Sequence, residues 1–147
     1  MTTYSFLDTQ VAITGPGGSI NLGAGAAVSE EGITVEPTED INTMTIAADG
    51  TPMHSLHANK SGTITVRLLK TSPVNQQLSL MYAFQTASGA NHGQNTISIA
   101  NSQTQDVITC QIVAFRKAPA ITYAKEAGMN EWTFQAGIID RTLGSGA

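Results

Sequence analysis

Thr63-Ile64-Thr65-Val66-Arg67-Leu68-Leu69 decides the fold class. Ile64, Val66 and Leu68 fall on one side of an extended chain, and Thr63, Thr65 and Arg67 on the other. That period of two is the pattern of a half-buried strand. It recurs near the end of the chain, where Trp132, Phe134, Ala136 and Ile138 alternate with Glu131, Thr133, Gln135 and Gly137. Working outward, short β-like runs alternate with turn signals. Val11–Thr14 precedes Gly15-Pro16-Gly17-Gly18, Ile20–Leu22 precedes a Gly/Ala connection, and Ile33–Val35 stops at Pro37. Thr43–Ala47 and Met53–His57 flank Asp49-Gly50, which predicts a hairpin. Asn59–Gly62 is the next turn. Thr96–Ala100 is a further strand, and Val107–Lys117 is apolar on both faces, as a strand buried on both sides would be.

One segment, about 72–88, reads as a helix. Ser72 suits the N-cap, Pro73 the first helical position, and Gly89 lies past the end. Val74, Leu78 and Met81 share a stripe, with Tyr82 and Phe84 on its flanks and Leu80 beyond. That arc is wider than one sheet contact needs, and suits a helix covered by its own sheet and by a neighbouring subunit. Seven or more strands with one flanking helix predict a mainly β, antiparallel sandwich or barrel. The whole of 1–147 is expected to be a single domain, with an extended arm or hairpin at about 36–62.

Composition narrows the function. Charged residues are 12% of the chain, about half the usual share of ~25%. Thr, Ser, Asn, Gln, Ala and Gly replace them, and a surface of small neutral groups packs cheaply against copies of itself. Met1–Asn59 holds seven acids and no Lys or Arg; from Lys60 onward there are four acids and seven bases. The two parts carry about −7 and +3. Such a split is either a solvated acidic loop or a pair of complementary patches. Cys110 is the lone cysteine, which excludes an internal disulfide, and its apolar surroundings predict a core residue. No signal peptide is visible and no run approaches the ~18 apolar residues of a membrane span, so a soluble chain made in a cytoplasm is expected.

The chemistry-bearing patterns are weak. His54 and His57 are three apart on a strand and so face opposite sides, which leaves them with Asp49 as poor metal ligands. His92 sits in a Gly/Asn-rich loop without an identifiable partner. Gly23-Ala24-Gly25 lacks a βαβ setting for a dinucleotide. Glu30/Glu31 and Glu39/Asp40 read as solvated carboxylates. No catalytic, metal or cofactor residue is expected. Arg116-Lys117 is the only basic doublet and the pI is near 5.1, which opposes nucleic-acid affinity.

Glu39-Asp40-Ile41-Asn42-Thr43-Met44-Thr45-Ile46-Ala47-Ala48-Asp49-Gly50-Thr51-Pro52-Met53-His54-Ser55-Leu56-His57, continuing through Lys60–Asn75, resembles tail tube proteins of contractile-tailed phages. Tyr4-Ser5-Phe6-Leu7-Asp8 and Asn130-Glu131-Trp132-Thr133-Phe134 are similar to the same family. The resemblance implies a virion protein whose six-membered rings stack head to tail into a hollow tube. It implies inner sheets joined around a lumen, an architecture shared with type VI secretion inner tubes. The implied partners are further copies of the chain, a contractile sheath, tape measure protein and DNA passing through the lumen, and tail terminator and baseplate proteins at the ends, with no membrane. Assembly would take place in the host cytoplasm. Glu36, Glu39, Asp40, Asp49, Lys60, Arg67, Arg116 and Lys117 are the candidates for contacts between subunits. Acids of one ring would meet bases of the next; alternatively some acids face the lumen and repel phosphate. Two other readings are a tube of a phage-derived contractile particle and a β-sandwich binding module. The module would need an exposed aromatic platform, and Trp132, on an apolar strand face, is expected in the core.

Overall fold

The structure is a computed structural model. It describes residues 9–21, 28–38, 40–70, 72–101, 104–120, 123, 125 and 128–144, with backbone alone at 28–31. Nine strands and one helix follow in order among the described residues: β1 (Thr9–Gly15), β2 (Gly18–Asn21), β3 (Val28–Pro37), β4 (Asn42–Ile46), β5 (Pro52–Leu56), β6 (Gly62–Leu69), α1 (Val74–Thr86), β7 (Asn95–Asn101), β8 (Asp106–Lys117) and β9 (Met129–Thr142). Seven strands form one antiparallel sheet in the order β2-β1-β7-β8-β9-β6-β3, and β4 and β5 form a separate pair. The sheet is sandwich-like and does not close into a barrel. Its two ends nevertheless approach, because Thr9, Ile99 and Ile108 line one small cavity with Ile33 and Val35.

The alternations read from sequence build the core. Ile64, Val66 and Leu68 of β6 are fully buried, and Trp132, Phe134 and Ala136 of β9 lie beside them in register. Val11, Ile13 and Ile20 close the cluster from the other end of the sheet. Cys110 is buried there too, and burial pushes its thiol up to about 11. Phe115 links the aromatic residues, edge-on to Tyr82 at 5.5 Å and to Trp132 at 6.0 Å. The Trp132 indole N–H donates to Asn75 Oδ1 at 3.0 Å, which ties the start of α1 to β9.

Three details differ from the sequence reading. The strand at 107–117 is not buried on both sides: Val107 is 52% exposed and Ile112 60%. Asn95 pairs with Val113 but Ile97 with Cys110, so β8 carries one extra residue there. Ile112 takes the left-handed conformation, at φ 55. This β-bulge reverses the alternation, so Cys110 and Val113 both point inward although they are three apart. Second, α1 begins at Val74, one residue later than expected, with Pro73 as its N-cap. Ser72 Oγ still accepts a hydrogen bond from the Val74 amide, at 3.3 Å. Third, Glu30 and Glu31 belong to β3 and not to a loop, within a bulged stretch between the Val28 and Ile33 pairings. Leu22–Ala27 lie outside the described residues.

A buried amide pair joins helix to sheet. Gln85 and Asn95 are almost fully buried and exchange two hydrogen bonds of 2.7 Å each. Gln85 Nε2 also donates to the carbonyl of Pro16, at 2.9 Å. The C-terminal turn of α1 is thereby fixed to the β1–β2 turn and to the start of β7.

Candidate functional site

The β4–β5 hairpin stands apart from the core. Asp49 Oδ1 accepts the Thr51 amide at 3.0 Å, which holds the Asp49 carboxyl below its ordinary value. Gly50, at φ 89, completes the turn in a conformation that side chains other than glycine's rarely adopt. Opposed pairs share a side of a two-stranded ribbon. Asn42/Leu56, Met44/His54 and Ile46/Pro52 therefore form one face, and Thr43/Ser55 and Thr45/Met53 the other. The His residues accordingly separate: His54 bonds Asn42 at 3.1 Å and His57 bonds Thr43 at 2.7 Å. Every residue of the two strands except Ser55 is exposed. Met44, Ile46, Met53 and Leu56 are between 52% and 83% exposed.

The hairpin's root is fastened to the main sheet. The Thr38 amide donates to Ser61 O at 3.0 Å, and the Ile139 amide to Lys60 O at 2.9 Å. Gly62 is buried where three strands meet. A Cβ there would strike Ile139 Cδ1 and come within 2.6 Å of the Glu36 carbonyl oxygen. A groove at this root brings together Glu36, Asp40 and Lys60 with Asp140 and Arg141. Sequence reasoning passed over those last two, since nothing in the sequence places the end of β9 against residues 36–61.

The other expected contact residues are scattered. Lys60 lies 3.9 Å from Asp140, both well exposed. Arg67 is engaged inside its own chain, 3.5 Å from Glu131 and donating to Thr34 Oγ1 at 3.1 Å. Arg116 and Lys117 stand exposed at the end of β8, and Asp49 at the hairpin tip. Glu39 lies outside the described residues. On α1, Val74, Leu78 and Met81 are buried and Tyr82 packs partly on the core. Phe84, 52% exposed, instead lines an open groove with Leu80 beside the Gly17-Gly18 turn.

The outward surface of the main sheet carries no charge on the rungs that β2, β1, β7 and β8 share, and Arg116 stands exposed on β8 beyond the end of β7. Across β2-β1-β7-β8, one rung is Asn21, Ala12, Ser98 and Thr109. The rungs on either side are Gln10, Ala100 and Val107, and Ser19, Thr14 and Thr96. None of these is charged. Across β9, β6 and β3 the outward rungs carry Arg67 with Glu131, and Glu36.

No group of three His, Cys, Asp or Glu among the described residues could hold a metal ion. No described helix is long and apolar enough to cross a membrane.

The family model for the bacteriophage PhiTE tail tube protein matches residues 1–144. The chain belongs to that tail tube family. Solved structures share its fold at low identity. The tube-terminating cap of the anti-feeding prophage is 12% identical, with 97% of this chain and 94% of that chain covered at a TM-score of 0.55. The sheath–tube complex of an extracellular contractile injection system, PVC, in its extended state gives 12%, 96%, 92% and 0.54. The sheath/tube terminator of the same system gives 13%, 97%, 98% and 0.57. No individual curated protein matches by sequence. Membership makes this tail tube chain a structural tail component, as the quoted 39–75 stretch implied.

Proposed function

We propose that this chain is a non-enzymatic virion subunit whose six-membered rings stack head to tail into the inner tube of a contractile tail. The hairpin carries the proposal. A two-stranded ribbon is marginally stable alone, and this one holds Met44, Ile46 and Leu56 in the open. A neighbouring copy that covers them supplies the missing burial, so residues 36–62 are an arm built for another subunit. The contact is heterologous, one patch against a different one, which builds open stacks. Tape measure protein and then DNA occupy the lumen, a sheath surrounds the tube, and terminator and baseplate proteins close its ends. Subunits assemble in the host cytoplasm. The similar structures include a sheath–tube complex and a sheath/tube terminator, which favours such partners. They also favour a second reading, a phage-derived contractile particle with the same tube role.

Charge sets the polarity of stacking in this reading. Glu36 and Asp40 at the root of the arm, with Glu39 between them, meet Arg116 and Lys117 of the following ring. Arg67 is committed to Glu131 in its own chain, so it is the weaker partner. A binding module would need an aromatic platform, whereas Trp132 is buried in the core. Negative-stain microscopy of the purified protein tests the reading: rings or tubes of uniform diameter are expected. A chain that stays monomeric at high concentration and with its tail-assembly partners would refute it.

A further inference from the structure

The strands give the molecule two unlike ends. Pro37 stands opposite Gly62 and Gly62 opposite Ala136, so the root of the arm lies at one end of β6. Leu69 stands opposite Met129, and Lys117 opposite Thr133, so the far end gathers the end of β6, the start of β9 and the end of β8. The eight residues of β6 hold the two ends about 23 Å apart at ~3.3 Å per residue. Five of the seven Lys and Arg residues belong to the far end: Arg67, Lys70, Arg116, Lys117 and, in the connection from β8 to β9, Lys125. Glu131 is the one acid among the side chains described there. Glu36, Asp40, Asp106 and Asp140 lie toward the root end. A patch of apolar surface sits among the cations. Leu69 and Met129 are a cross-strand pair, and both are half-exposed. Tyr123 is 86% exposed, and the Lys70 ammonium lies 4.0 Å from the centre of its ring. The Lys70 amide donates to Gly128 O at 3.3 Å, which brings the connection against the end of β6. Tyr and Met are enriched where proteins meet, and a tyrosine ring offers a large contact area at little entropic cost.

We infer, resting on the tube reading above, that this basic end is the seat of the arm: the β4–β5 hairpin of one subunit docks on Leu69, Met129 and Tyr123 of the next. The two surfaces match in kind. Residues 36–59 carry acids and no Lys or Arg, around the exposed apolar side chains Met44, Ile46 and Leu56. The seat carries cations around its own exposed apolar side chains. Complementary potentials steer the approach and fix the register, while the apolar centre supplies the affinity. A contact from one end of the strands to the other repeats in one direction, so copies stack with a single polarity. Two seats repel each other and so do two arms, which disfavours head-to-head pairing. The other exposed apolar surface, the Leu80/Phe84 groove, is the poorer seat. The whole of α1 holds no charged residue, so it offers nothing to the arm's acids.

Cross-linking between two single-cysteine variants tests the seat. Cys110 is buried and its thiol is pushed up to about 11, so an introduced cysteine reacts alone. Leu56→Cys subunits are mixed with Met129→Cys subunits, assembled, and treated with a short bis-maleimide. Covalent dimers from the mixture, and none from either variant by itself, are expected. Tubes of the mixture that yield no dimer would overturn the inference. Dimers from Leu56→Cys mixed with Leu80→Cys, in place of that pair, would overturn it by seating the arm on α1. Dimers from Leu56→Cys by itself would overturn it by pairing arm with arm. A second measurement needs no cross-link and stands if a cysteine blocks assembly. Tyr123→Ser should raise the critical concentration for tubes by about tenfold or more, with the melt of dilute subunits unchanged. An unchanged critical concentration would overturn the inference, and so would a large fall in Tm, which would assign the ring to the subunit's own fold. Absence of tubes from the unsubstituted protein would instead sink the tube reading itself.

Discussion

Met44→Ser with Leu56→Ser should uncouple assembly from folding. Both side chains lie on one face of the β4–β5 ribbon, 52% and 83% exposed in the isolated subunit. Fully burying such a side chain stabilises by about 1.5–3 kcal/mol. A neighbour can still cover about half of Met44 and about four fifths of Leu56, so the pair contributes about 2–4 kcal/mol per subunit to polymerisation. At tenfold per ~1.4 kcal/mol, the critical concentration for tubes should rise by about thirtyfold to several hundredfold. The subunit itself should barely notice, because exposed substitutions stay within about 0.5 kcal/mol. Sedimentation of polymer across a concentration series gives the first quantity and thermal melting of dilute protein the second. Thr45→Ser, on the opposite face, is the control. An unchanged critical concentration would refute the arm as a contact. A large fall in Tm would show that the hairpin serves the subunit's own fold instead.

Other outcomes follow from the interior and the root of the arm. Asn95→Leu should destabilise by about 2–4 kcal/mol, because buried Gln85 loses both a donor and an acceptor. Adding Gln85→Leu should restore part of that loss, measurable as a double-mutant cycle by urea melts. Gly62→Ala forces a Cβ against Ile139 and the Glu36 carbonyl, so it should lower Tm by several degrees and loosen hydrogen exchange at residues 36–38 and 60–62. The folded Cys110 thiol titrates near 11 against an ordinary value of 9.0. As pH rises above that ordinary value the unfolded chain releases the proton while the folded chain keeps it, so stability falls up to the folded value. The loss should reach about 2–3 kcal/mol and be absent in Cys110→Ala, whatever that variant's stability at neutral pH. Reversing Glu39 and Asp40 to Lys should block polymerisation without changing the melt; normal tubes from that variant would remove the proposed charge contact.

The main sheet was legible wherever alternation ran unbroken. β6 and β9 show their inward residues directly in the sequence, and Trp132 and Cys110 lie in the core as their apolar neighbours imply. The Asp49-Gly50 turn named the hairpin, because few other pairs of residues suit that backbone. β8 was misleading. Its bulge at Ile112 inserts one residue, so a single inward face looks like two apolar faces when read with a fixed period. Gln85 and Asn95 were invisible for a different reason: each is polar and resembles a surface residue until the two meet across ten positions of chain. The charge split was legible as arithmetic but not as geometry. Folding spent Arg67 on Glu131 and gathered Glu36, Asp40 and Lys60 with Asp140 and Arg141, a pairing that depends on where β9 ends.

A cryo-EM reconstruction of the assembled protein tests the central claim most directly. The account predicts stacked rings in which the β4–β5 hairpin of each subunit is buried against a neighbouring copy. Stacked rings with Met44 and Leu56 facing solvent, or a particle with no bore at all, would contradict it.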